Sequence, residues 1–311
     1  MSIAVLGYGT VGRSVTEALA ARGDPVRAIQ RSPPATLPDG VDFAPADAVT
    51  GAGLAEAMGD ADTLVCALGL PYSGKDFRRD WPRVAQNCLD ACTRTGARFL
   101  LADNLYMYGA QSAPLTEDMP LNGGGKKPGA RAEVTRLWQE AHSAGRVMGC
   151  AVRSSDFYGP HAQNSMLVGQ GIARMLSGKP AQMAFPVDHP HDYTYVPDFA
   201  RAITRLIDAP EADWGQPWHV PNAPTRTTRE LLAMAAEIAG VPLRVTVMPA
   251  LLRRALGLFV PILSELEEMR FQWDRPYRVD ASKYTQRFGE APTPFAEGLA
   301  AVIVARRRNG A

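Results

Sequence analysis

The 311-residue sequence has no apolar run long enough to cross a bilayer. Its longest, Ala255 to Leu263, is far short of the roughly 20 residues a spanning helix needs. It has no excess of either charge, with 33 Lys and Arg against 32 Asp and Glu, which argues against a nucleic-acid or anionic-membrane surface built on clustered cations. It has only four cysteines, and the spacing of Cys66, Cys88, Cys92 and Cys150 fits neither a disulfide framework nor a zinc site. Cys88 and Cys92 stand four residues apart on an expected helix and read as small buried hydrophobes. Repeats and low-complexity stretches are absent. The start at Met1 runs into a strand with no basic segment or small-residue cleavage site, so a cytoplasmic protein is expected. An apolar content of 46% with 21% charged residues is that of a chain that folds.

The first half alternates short apolar runs with helix-period stretches, as a parallel α/β sheet requires. Strands are expected at Ile3 to Leu6, Val26 to Gln30, Val41 to Phe43, Thr63 to Leu68, Arg98 to Leu101 and Val147 to Val152. Helices are expected at Val11 to Ala21, Gly53 to Met58, Trp81 to Thr95 and Ala130 to His142. The fold class is therefore α/β, a Rossmann-type doubly wound parallel sheet with a smaller C-terminal substrate region. The rhythm changes after Gly159-Pro160, where helices near Ser165 to Leu176, Asp198 to Ile207 and Arg229 to Ala239 follow Pro-rich connections. This places a dinucleotide-binding domain at 1–160 and a mostly substrate-binding region at 161–311, with a segment of about 190–222 returning to the first. Leu251 to Phe271 mixes apolar residues with a charge cluster from Ser264 to Arg270, which reads as a solvated helix face.

Gly7-Tyr8-Gly9-Thr10-Val11-Gly12 follows the first strand and opens the first helix, the setting in which GxGxxG carries meaning. Gly7 makes the tight turn, Gly9 lets a pyrophosphate approach the backbone, and Gly12 allows close helix-to-strand packing, while the helix N-terminus offers N–H groups to the phosphates. At the end of the second strand, where NAD enzymes place a ribose-binding acid, the sequence reads Gln30-Arg31-Ser32. Arg31, with Arg13, suits the 2′-phosphate of NADP, so NADP is expected over NAD. Ser32, Asp47, Leu68 and Gly69 complete the expected cofactor-binding set. Asp188-His189-Pro190-His191-Asp192 reads as pocket lining or surface loop, because two pairs split by Pro do not match a metal-ligand spacing. Gly123-Gly124-Gly125-Lys126-Lys127 lacks the context of a P-loop and reads as a flexible loop.

These features resemble the extended and atypical branch of the short-chain dehydrogenase/reductase superfamily, the group of NAD-dependent epimerase/dehydratase proteins. The resemblance spans nearly the whole chain. It rests on the glycine turn, on Asp103-Asn104-Leu105-Tyr106-Met107-Tyr108-Gly109, on Thr116-Glu117-Asp118, on Arg153 with Asp156-Phe157-Tyr158-Gly159-Pro160, and on Tyr195-Val196-Pro197-Asp198. The family's Ser, Tyr and Lys triad maps onto Asn104, Lys127 and Arg131, so all three catalytic residue types differ. Asn104 still donates to a carbonyl oxygen and Arg131 to ribose hydroxyls, but Arg131 is no acid. Lys127 reads either as a proton donor of lowered pKa or as a solvated loop lysine. Tyr106 and Tyr108 alternate with Asn104 on an expected extended segment, and Tyr106 and Tyr158 are the preferred tyrosine proton donors.

The resemblance implies an enzyme with a nicotinamide cofactor. The reading drawn from it is an NADP-dependent oxidoreductase that reduces a carbonyl or activated double bond of a small organic substrate, without a metal. A catalytically silent NADP-binding sensor or scaffold is the alternative. A nucleotide-sugar epimerase or dehydratase comes third, because the usual triad is missing and Asp156 stands where such enzymes often carry Asn. Family analogy also implies a homodimer through paired helices.

Overall fold

A computed structural model describes residues 1–308. The strands of the first half form where buried apolar runs are bounded by turns: β1 (Ile3–Leu6), β2 (Val26–Gln30), β3 (Asp42–Pro45), β4 (Thr63–Cys66), β5 (Arg98–Asp103) and β6 (Gly149–Arg153). Between them run α1 (Thr10–Ala21), α2 (Leu54–Met58), α3 (Gly74–Thr95) and α4 (Lys127–Ser143). Later in the chain come β7 (Asp156–Tyr158), α5 (Ala173–Leu176), β8 (Ala181–Met183), β9 (Pro190–His191), β10 (Tyr193–Tyr195), α6 (Val196–Ile207) and β11 (Pro217–His219). The sheet order β11-β6-β5-β4-β1-β2-β3 reverses direction at β1, with β1 paired in parallel to both β2 and β4. This is the Rossmann-like α/β arrangement, and such sheets bind ligands beyond the carboxyl ends of their strands.

The chain divides into two compact units. The first comprises 1–108, 120–154 and 199–218. Its core sets Leu6, Ile29, Leu64, Phe99 and Leu101 of the sheet against Trp81, Val84, Leu89, Val134 and Trp138 of α3 and α4. Helix α3 begins seven residues before the Trp81 start expected from periodicity. Its first turns are polar, so apolar spacing does not report them. They form because Ser73 caps the helix, accepting from the Asp76 N–H at 3.3 Å. Tyr106–Tyr108 is a 3₁₀ turn and not an extended segment, because the Asn104 side chain captures the Tyr106 N–H at 3.0 Å and curls the chain.

The second unit comprises 109–119, 155–198 and 219–311 as far as described. It adds β12 (Arg226–Thr227), α7 (Thr228–Ala239), β13 (Val245–Val247), α8 (Ala250–Gly257), α9 (Pro261–Glu268), α10 (Ser282–Phe288) and α11 (Phe295–Arg308). A capping box between Thr227 and Glu230 starts α7. The apolar core joins Leu231 and Leu232 of α7 to Leu299 and Val302 of α11 and to Leu167 of a π-helical turn, Met166–Ile172.

Candidate active site

The glycine turn is built by backbone sterics. Gly7 has φ +93°, and a Cβ there would lie 2.8 Å from the Leu68 Cα, so only glycine is accommodated. A Cβ on Gly12 would meet the Gly7 carbonyl oxygen at 1.9 Å. At Gly9 a Cβ would meet nothing within 4 Å, because this position faces a cavity of about 670 Å³ at the N-terminus of α1. That opening beside helix N–H groups fits a pyrophosphate.

Of the expected cofactor residues, Gly7, Tyr8, Gly9, Arg31, Ser32, Asp47, Leu68 and Gly69 line the cavity. Thr10, Val11, Gly12 and Arg13 lie just beyond it on α1. Arg13 Nε donates to Glu17 Oε1 at 2.7 Å, the neighbour one helical turn on. Gln30 holds the turn from the end of β2, accepting from the Tyr8 N–H at 3.3 Å and donating to the Ser32 carbonyl at 2.7 Å. Asp47 accepts from the Val49 N–H at 2.8 Å and so shapes its own loop. The sequence reading missed Arg79 of α3, which lines the cavity while pairing with Asp80 and Asp76 at 2.6 and 2.9 Å. No apolar period marks that turn.

At the carboxyl end of β5, Asp103 is fully buried and binds two buried arginines, Arg131 of α4 and Arg153 of β6. Arg131 lies 4.1 Å from the Trp81 ring centroid, so its fork is held by Asp103 and its face by indole. Like Lys127 and Asn104, it is not among the residues that line the cavity. Arg153 donates to the Tyr108 hydroxyl at 2.6 Å and to Thr135 Oγ1 at 3.0 Å. Tyr108 is therefore part of the buried cluster.

Lys127 is not a loop lysine. It is the first residue of α4 and fully buried, with Nζ 4.9 Å from the Tyr72 ring centroid. Asn104 lies two residues before Tyr106, its Oδ1 engaged by that backbone N–H. Tyr106 is partly buried against the first unit's core. Tyr158 belongs to the second unit, packed on Tyr195 and Phe295 at centroid distances of 5.2 and 5.6 Å. Its hydroxyl has no hydrogen-bond partner among the described residues, and burial, then the Asp198 charge, pushes its pKa well above the usual phenol range.

Elsewhere in the second unit, the 188–192 segment divides. Asp188 is exposed and pairs with Arg229 at 2.6 Å, while His191 is buried between Asp156 Oδ2 at 3.1 Å and the Gln272 carbonyl at 3.0 Å.

The chain belongs to the NAD dependent epimerase/dehydratase family, whose pattern it matches over residues 3–220. No curated protein matches it in sequence. Its fold is similar to that of UDP-glucuronic acid 4-epimerase from Bacillus cereus, solved with UDP-glucuronic acid and NAD (TM-score 0.83, 18% identity, covering 99% of this chain and 100% of that one). It is also similar to UDP-glucose 4-epimerase from Thermus thermophilus with NAD (0.79, 20%, 99% and 99%). A third is dTDP-glucose 4,6-dehydratase from Bacillus anthracis with NAD (0.81, 14%, 100% and 97%). Family and neighbours correct the expectation of a small-carbonyl reductase, since they name epimerisation and dehydration and the neighbours act on nucleotide-linked sugars. They support a nicotinamide dinucleotide as cofactor. No helix among the described residues is long and apolar enough to cross a membrane.

Proposed function

We propose that this chain is an NAD-dependent enzyme that epimerises or dehydrates a nucleotide-linked sugar, with Lys127 in place of the family's catalytic tyrosine. The observation that carries this reading is the buried amine at the first residue of α4 in a chain whose glycine turn opens onto a dinucleotide-sized cavity. NAD, when bound, supplies a hydride acceptor that returns the hydride later in the cycle. The role assigned to Lys127 is to take the proton of the sugar hydroxyl as its carbon becomes a carbonyl and to give it back on reduction. Asn104, with Oδ1 tied to the Tyr106 N–H, has its Nδ2 to donate to the oxygen that gains negative charge. Asp103 neutralises Arg131 one turn from Lys127, so that two cations on one helix face do not repel.

NAD is proposed over NADP because the neighbours hold NAD and because Glu17 holds Arg13. Arg31 lines the cavity without an acid beside it on β2, so Arg31→Ala should leave NAD affinity unchanged and weaken whatever NADP binding exists. The decisive experiment incubates the NAD-loaded protein with UDP-glucose, UDP-glucuronic acid and dTDP-glucose and follows products by NMR. Conversion is expected, falling roughly 10² to 10⁴-fold in Lys127→Met while NAD binding holds. NAD binding without conversion of any nucleotide-linked sugar refutes the reading. That result would favour a silent dinucleotide-binding protein, for which the commitment of Arg131 to Asp103 already speaks.

A further inference from the structure

Before Trp81, helix α3 buries only the side chains of Phe77 and Asp80 and leaves Lys75, Arg78 and Arg79 exposed. Packing does not account for these polar turns, but they set an arginine on the wall of the dinucleotide-sized cavity, where Arg79 stands with Gly9, Arg31 and Asp47. Asp80, only 5% exposed, holds the guanidinium side-on: Nε donates to Oδ1 at 2.7 Å and Nη2 to Oδ2 at 2.6 Å. Nη2 gives its second N–H to Asp76 Oδ1 at 2.9 Å. A guanidinium carries five N–H donors, so these bonds leave both N–H groups of Nη1 without a partner among the described residues. An ordinary surface ion pair fixes little, because two long exposed side chains sample many geometries. Here one partner is buried and its hold is bidentate, so the fork is oriented before any ligand arrives.

We propose that Arg79 is a cofactor-binding residue whose Nη1 edge donates to the pyrophosphate of the bound dinucleotide, with Asp80 as the residue that positions it. Charge on the cavity wall supports this assignment. The wall holds two cations, Arg31 and Arg79, and three carboxylates, Asp47, Asp76 and Asp80. A pyrophosphate adds roughly two negative charges, which such a wall accepts only where its own carboxylates are already matched. Asp76 and Asp80 are matched by Arg79, and Asp47 is turned onto the Val49 and Thr50 N–H groups of its own loop. Arg31 stands just past the end of β2, where the adenosine ribose is expected. That leaves Arg79 as the cation for the bridging phosphates. Its bond adds a full charge to the partial charge of the N–H groups at the start of α1. This role rests on the cavity's being a dinucleotide site and is independent of the sugar chemistry.

The test is calorimetric titration of the full chain with NAD, NADP and ADP-ribose over a sodium chloride series. Arg79→Met should weaken NAD and ADP-ribose by the same factor, about 10- to 100-fold, the loss of one charge-assisted hydrogen bond. Its NAD affinity should also respond less to added salt than that of the wild type, because the cation facing the phosphates is gone. A merely structural role would leave that response unaltered. Arg79→Met strands the buried Asp80, so Arg79→Met with Asp80→Asn is the second variant, with the same expectation and a thermal melt near that of the wild type. A folded variant with undiminished NAD affinity, a loss that keeps the wild-type salt response, or a loss confined to NADP, which would place Arg79 at the 2′-phosphate, would each overturn the proposal. A wild-type chain that binds no dinucleotide would overturn the reading of the cavity itself, and the proposal with it.

Discussion

The glycine turn after β1 and the polar cluster at the end of β5 lie in one sheet with only β4 between them, yet they are made differently. The turn is a product of backbone sterics: three glycines whose missing Cβ atoms define a close crossing and an opening. The cluster is a product of side chains drawn from β5, α4 and β6 and from the 106–108 turn, in which Asp103 holds Arg131 and Arg153, and Arg153 holds Tyr108. The first can hold a ligand in any chain that keeps the glycines. The second can change its chemistry only if the partners change together, because a buried charge without its partner is far costlier than the pair. Asp103 supplies the compensating charge for both Arg131 and Arg153.

Asp103→Asn would break this comparison most sharply. It leaves Arg131 and Arg153 buried without a counter-charge, and stability should fall by about 3–5 kcal/mol. Replacing Asp103 and Arg131 together by Leu and Met should restore part of that loss. Urea denaturation of the single and double variants measures both. Equal losses in the two would show that the ion pairs do not govern the cluster.

Gly12→Ala comes next. Its Cβ would sit 1.9 Å from the Gly7 carbonyl oxygen, so α1 must shift away from β1, at a cost of about 1–3 kcal/mol. NAD binding should be lost with it. Gly9→Ala is the matched control, since its Cβ meets no protein atom; stability should hold while NAD affinity falls about 10-fold or more. Calorimetric titration and thermal melts read the pair, and a Gly9→Ala variant with undiminished affinity would remove the pyrophosphate from this opening.

The same contrast explains what was legible. The strands of the first unit can be read because buried parallel strands are near-continuous apolar runs, and the glycine turn because its constraints lie within six consecutive residues. The early start of α3 was hidden since Ser73 caps a polar first turn. The burial of Lys127 depends on Tyr72, and the engagement of Arg131 on Asp103 and Trp81, all distant in sequence. A motif that maps residue types onto triad positions does not reveal which charges will be paired. The reductase reading took the missing tyrosine as grounds against epimerisation and dehydration, whereas the family assignment comes from the whole length of 3–220.

Tyr158→Phe is the smallest expected effect and sharpens the comparison by testing a candidate outside both regions. Its hydroxyl is buried without a partner and lies where a Cβ on Gly298 would be 2.6 Å away, so removing it should raise stability at neutral pH by at most about 1 kcal/mol. Turnover and NAD binding should not change. The sign of the pH effect follows from the raised pKa: the neutral phenol's contribution is fully present below the unfolded value of about 10 and is lost as pH climbs toward the higher folded value. Above pH ~10 the unfolded chain releases this proton while the folded chain keeps it, so wild-type stability should fall more steeply than that of Tyr158→Phe, by up to ~1.4 kcal/mol per pH unit. Urea titrations at neutral and alkaline pH compare the slopes. Identical slopes would mean that solvent reaches the hydroxyl in the folded state, which would return Tyr158 to the list of proton donors and weaken the assignment to Lys127.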